Sequence, residues 1–225
     1  MSHLDGKIQE LLERLLLMGR LAESMIQTAL RVLIERDESL GAEITRKEKE
    51  VNDLQIEIDD TAVKLTALQQ PVGSDVRFLF MASRIATELE RIGDQAVNIA
   101  ENAHHVLKAP PLKPLVDLPV MGEIAERMVR DSLEALVKKD CPLANHVLEE
   151  EKKVDAHRDH IFRVLLTYMM EDPGTIERAL AFILISRNLE RVGDHATNIA
   201  EEVIYLVEGR EVRHRHESIM RTARS

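Results

Sequence analysis

The sequence predicts an all-α protein made of two tandem antiparallel three-helix bundles related by a pseudo-twofold repeat. Three observations lead there. First, LERIGDQAVNIAE at Leu89 to Glu101 returns as LERVGDHATNIAE at Leu189 to Glu201, changed only where Ile92, Gln95 and Val97 become Val192, His195 and Thr197. Second, aromatic residues make up only 3% of the 225 residues while Met occurs nine times, so the core is built from Leu, Ile, Val, Ala and Met, which suits close helix packing. Third, apolar residues recur at intervals of three and four along long stretches separated by Pro and Gly.

The elements follow in order. Ile8, Leu11, Leu12, Leu15, Met18, Ala22, Met25, Ala29 and Leu33 place a first helix over residues 6 to about 36. Ile44, Val51, Leu54, Ile58, Val63 and Leu65 place a second over about 38–70, stopped by Pro71 and Gly73. Ser74 is expected to cap a third, running to Lys108. The segment APPLKPLVDLP, residues 109–119, carries four prolines and reads as an extended connector between the halves. The pattern restarts at Val120 with a helix to about Lys139, a break at Cys141 and Pro142, a helix over about 143–170, a break at Asp172, Pro173 and Gly174, and a last helix over about 175–208 before Gly209. EKEVN at Glu48 to Asn52 matches EKKVD at Glu151 to Asp155, so the second helices correspond at an offset of 103 against 100 for the third. The chain thus divides into a first repeat (1–108), a linker (109–119), a second repeat (120–208) and a polar, Arg-rich tail (209–225).

The formal net charge of -10 repels a polyanion and argues against direct DNA binding, leaving cations and basic protein surfaces as natural partners. The single Cys141 has no partner for a bridge or a thiolate metal site. No apolar run is long enough to span a bilayer, and a cytoplasmic protein is expected. No phosphate loop, dinucleotide fingerprint, HExxH or held nucleophile is present, so no enzyme is predicted.

The repeated segment carries a stripe of oxygen-bearing side chains. With Glu90 at zero on a helical wheel, Asp94, Asn98 and Glu101 fall within roughly 80°, whereas Ile92, Ala96, Ile99 and Ala100 fall on the far side. Glu190, Asp194, Asn198 and Glu201 repeat the arrangement. Like charges four residues apart are mutually unfavourable, and a cation or a partner's Arg or Lys removes the repulsion. Carboxylates with an amide oxygen are hard ligands suited to Mg²⁺, Mn²⁺, Ca²⁺ or non-haem iron. Glu48, Asn52, Gln55 and Asp59 share a face of the second helix, with Glu151 and Asp155 as second-copy equivalents of the first two. A solvated acidic face is the plainer alternative. Gly93 and Gly193 recur inside helices and suggest close helix approach. Arg91 and Arg191 are expected to pair with carboxylates of a neighbouring helix. Glu101 and His104 form a Glu-x-x-His pair of the kind used in di-iron bundles, but Ile204 stands at the equivalent of His104, which weighs against a metal-storage or redox bundle.

With ERxGDxxxNIAE at Glu90 to Glu101 and again at Glu190 to Glu201, the sequence resembles the PhoU family, phosphate-specific transport system accessory proteins. The resemblance covers nearly the whole chain as two three-helix PhoU domains. It implies a cytoplasmic homodimer that negatively regulates phosphate uptake and the phosphate-starvation response, linking the ATPase of the phosphate ABC transporter to a sensor histidine kinase and reaching the membrane only through those partners. It also implies multinuclear carboxylate clusters of iron or another divalent metal (Mg, Mn or Zn), which some members carry and others lack. Carried over by position, the ligands would be Glu48, Glu90, Asp94 and Asn98 in the first copy and Glu151, Asp155, Glu190, Asp194 and Asn198 in the second. Asn52 stands where Asp155 stands in the second copy, so the first site is expected to bind metal more weakly.

Overall fold

A computed structural model describes residues 3–107, 112 and 117–210. Six long helices account for nearly all of it: α1 (His3–Glu35), α2 (Gly41–Gln69), α3 (Ser74–Leu107), α4 (Asp117–Lys138), α5 (Cys141–Glu171) and α6 (Ile176–Glu208). Among the described residues there is no strand.

α1, α2 and α3 pack on one another, as do α4, α5 and α6, and the two bundles join where α3 meets α6 and α1 meets α4. α2 and α5 lie outermost and bury one stripe each. Ile44, Val51, Ile58 and Leu65 recur every seven residues on α2, and Val147, Val154 and Ile161 do so on α5. The inner helices bury more of their circumference, with Leu11, Leu15, Met18, Met25 and Ile26 of α1 and Ile85, Leu89, Ile92, Ala96 and Ile99 of α3 fully enclosed.

The helix ends show how local chemistry sets boundaries. α4 begins at Asp117, three residues before the expected Val120, because Pro119 falls in the first turn, where a helix has no use for its missing N–H. α5 likewise takes in Pro142, and Asp140 caps it by accepting from the Leu143 N–H at 2.9 Å. The expected Ser74 cap is not made: Ser74 is already helical and its hydroxyl lies 3.5 Å from the Asp75 carboxylate, while Gly73 makes the turn at φ 59°. Before α6 a short 3-10 turn, Pro173–Thr175, is held by Asp172 accepting from the Gly174 N–H. Of the linker, only Leu112 and the residues from Asp117 onward are described, and of the tail only Gly209 and Arg210; the remainder of both lies outside the described residues.

Candidate functional site: two acid faces at the crossing of α3 and α6

α3 and α6 run antiparallel, because the contacts between them step in opposite directions. Arg77 donates to the Leu206 carbonyl at 3.3 Å, Arg84 lies 3.3 Å from Glu202, and Glu88 bonds His195 at 2.7 Å and accepts from the Asn198 amide at 2.9 Å. In that register Ile92 and its repeat equivalent Val192 lie at the midpoint. The two signature segments therefore cross one another at the centre of the molecule, each with its apolar side buried: Ile92, Ala96 and Ile99 on α3, and Val192, Ala196 and Ile199 on α6, are wholly enclosed.

The opposite sides carry the acids. In the first copy Glu90 and Asp94 of α3 are partly open, with Glu48 of α2 close enough to act on Glu90. Burial raises the Glu90 pKa first, and the Asp94 charge raises it further. No ion pair is made by Glu48, Glu90 or Asp94 among the described residues. Beside them the side-chain oxygen of Asn52 is buried without a hydrogen-bond partner.

In the second copy Glu151 and Asp155 of α5 face Glu190 and Asp194 of α6. Burial pushes the Glu151 carboxyl up to about 7, helped by the charges of Asp194, Asp155 and Glu201. Asp194 remains open on one side, yet burial and then Glu190 raise its pKa. Arg158 enters this cluster. It bonds Glu190, lies 3.4 Å from Asp155 and holds Asp159 at 2.8 Å. Asp155 gives the second copy one more carboxylate than the first, and Arg158 offsets that difference.

The predicted carboxylate ligands are thus brought together on each of the two faces. Asn198, on the exposed side of α6, donates its side-chain N–H to Glu88 across the repeat boundary, and Asn98 is half-buried on α3. Among the described residues no three His, Cys, Asp or Glu side chains converge as they stand on one ion position. The donor set nevertheless fits a hard cation: carboxylates whose ionised forms are disfavoured by one another, and an amide oxygen lacking a donor.

Other expectations are revised. Arg91 and Arg191 are exposed and make no ion pair among the described residues. His104 is exposed and lies 3.3 Å from Glu38, whereas Ile204 is only 1% exposed, so the second repeat offers core packing where a second di-iron histidine would be needed. A storage or redox bundle finds no support. Glu88 and Arg158, which organise the centre, were not anticipated from the sequence. Glu88 lies one residue outside the repeated thirteen and has Asn188 as its match, and Arg158 matches Gln55, so neither carries a repeat signal.

A family model for the PhoU domain matches residues 15–103 and again 118–203. The chain belongs to the PhoU family. This PhoU-family chain is 38% identical over 211 residues to the phosphate-specific transport system accessory protein PhoU homolog of Pseudomonas putida, covering 93% of this chain and 82% of that protein. Its identity to the protein of the same name from Zymomonas mobilis subsp. mobilis is 40% over 195 residues, 87% of this chain and 82% of the relative. The fold superposes on the crystal structure of PhoU from Pseudomonas aeruginosa with a TM-score of 0.88 at 36% identity, covering 92% of this chain and 99% of that one. For the phosphate transport system regulatory protein PhoU from Streptococcus pneumoniae the TM-score is 0.87 at 28% identity, over 93% and 99% of the two chains.

Proposed function

We propose that this chain is a non-catalytic accessory protein of a phosphate-specific transport system. In this reading it restrains phosphate uptake and holds the starvation response off while phosphate is plentiful, by coupling the ATPase of the phosphate ABC transporter to a sensor histidine kinase. The names of its relatives support the transport role. No helix among the described residues is long and apolar enough to cross a membrane; in this reading the protein is a cytoplasmic homodimer that meets the membrane through its partners.

The observation that carries the mechanism is the crossing of two acid-bearing signatures at the molecular centre. Glu48, Glu90, Asp94 and Asn98 in the first copy, and Glu151, Asp155, Glu190, Asp194 and Asn198 in the second, would hold iron or another divalent metal, or receive a partner's basic surface. A bound cation supplies the positive charge these carboxylates lack. The protein's own part is to hold the carboxylates on rigid helices, with the apolar sides of α3 and α6 locked against the core so that the acid sides cannot turn away.

The test is complementation of a strain lacking the protein with an E90Q/D94N/E190Q/D194N variant, reading a phosphate-starvation reporter in phosphate-rich medium. Derepression by a variant with normal helix content and melting is expected. Full repression by that variant would rule out the acid faces as the working surface.

A further inference from the structure

The two acid faces are built alike but guarded differently. On α2 and α5 the repeat offset of 103 makes Gln55 the counterpart of Arg158, and on α3 and α6 the offset of 100 makes Thr87 the counterpart of Arg187. In the first copy Gln55 donates to the Thr87 hydroxyl at 3.5 Å, a neutral pair that leaves Glu90 and Asp94 uncovered. In the second copy Arg158 reaches across from α5 to α6 and bonds Glu190 through the same Nη1 that lies 3.4 Å from Asp155.

Arg158 has a second anchor. Its Nε and Nη2, the guanidinium edge not used for Glu190, donate to Asp159 Oδ1 at 3.1 and 2.8 Å, and a cleft lined by Asp159, Phe162, Ile183, Arg187 and Glu190 opens beside it. A guanidinium does not deprotonate, so it leaves a carboxylate only by moving. Asp159 lets it move without losing every ionic partner.

We propose that Arg158 is a resident counter-ion that keeps the second acid face closed, so that the faces fill in order: the Gln55 face first, and the Arg158 face only once Arg158 has withdrawn from Glu190 onto Asp159. This rests on the reading of the acid faces as cation-holding, and it reverses the ranking suggested by counting carboxylates. The first face has three, Glu48, Glu90 and Asp94, which make no ion pair among the described residues. The second has four, Glu151, Asp155, Glu190 and Asp194, of which two are already engaged.

Titration of metal-free, full-length protein with Mn²⁺, followed by calorimetry and by the Mn²⁺ paramagnetic resonance signal, tests the order. Wild type is expected to show two classes of site about tenfold or more apart, since one charge-assisted contact must be given up at the second face. E90Q/D94N removes the tighter class. Arg158→Gln tightens the weaker class until the two converge, Arg158→Lys preserves the gap, and Gln55→Arg weakens the tighter class. Two equal classes in wild type, or an R158Q protein of unchanged melting temperature whose classes stay apart, would overturn the counter-ion role while leaving the acid faces as cation sites. Absence of Mn²⁺ binding in both wild type and R158Q would overturn the cation reading and the filling order together.

Discussion

Glu151 carries a carboxyl held at about 7 by burial and by the neighbouring Asp194, Asp155 and Glu201, against an ordinary value of 4.5. Between those values the folded protein binds a proton that the unfolded chain has released, so stability must fall as pH rises through that window. Below about 4.5 both states are protonated and the carboxyl contributes no penalty. Glu151→Gln should therefore flatten the loss of melting temperature between pH 5 and pH 8 and raise stability at pH 8, and an unchanged slope would show that the group is not strained. Glu88 acts in the opposite sense: burial raises its pKa, but bonds from His195 and Asn198 outweigh this and hold it below the ordinary range. Its contribution is present above 4.5 and is lost as pH falls through its folded value. The acid stripe was legible from the sequence because duplication made a periodic pattern visible. Arg158 was not, because its Glu190 partner lies 32 residues away on another helix and periodicity reports only on one helix at a time.

Between elements, the informative glycines are not those of the signature. A Cβ on Gly93 would meet Met25 Cε at 3.5 Å, and one on Gly193 would meet Val154 Cγ1 at 3.6 Å, both ordinary contacts, so neither position demands the close approach that its recurrence suggested. The tight crossing is that of α1 over α4. A Cβ on Gly19 would lie 2.1 Å from Leu133 Cδ1, and one on Gly122 would lie 2.4 Å from Leu30 Cδ1. The two contacts are reciprocal, since Gly19 and Leu30 become Gly122 and Leu133 at the same offset of 103. Gly93→Ala should be neutral or stabilising by up to about 1 kcal/mol, the helix-propensity gain. Gly19→Ala and Gly122→Ala should each destabilise by about 1–3 kcal/mol, because a buried leucine must leave its rotamer. Urea denaturation midpoints decide it; a G19A protein as stable as G93A would mean that Leu133 yields freely. The α1 and α4 pattern was present in the sequence, where Leu15, Met18, Gly19, Ala22, Glu23 and Met25 recur as Leu118, Met121, Gly122, Ala125, Glu126 and Met128. What the pattern could not supply was the antiparallel crossing that sets a glycine of one helix against a leucine eleven positions along the other copy's frame.

At the scale of the whole molecule, the second bundle serves the first as a twofold partner, and the contacts between them sort into two kinds. The reciprocal Gly and Leu contacts of α1 and α4 would survive if the second bundle were replaced by another copy of the first, because Leu30 would stand in for Leu133. Two of the polar contacts of α3 and α6 would not, although the Glu88–Asn198 bond would return as Glu88–Asn98. Glu88 would meet Gln95 in place of His195, and Arg84 would meet Asn102 in place of Glu202. A fragment of residues 1–108 should therefore self-associate through the face it normally gives to the second bundle, in an isologous pair, but more weakly than the intact chain holds its halves. Gln95→His in that fragment restores the Glu88 partner on both sides of the twofold at once. Two regained charge-assisted bonds should tighten the dimer by about tenfold or more. Sedimentation velocity over a range of concentrations reads both effects. A folded fragment that stays monomeric, or a Q95H fragment that dimerises no better than its parent, would show that the halves have diverged beyond exchange and that the central crossing depends on contacts particular to the full chain.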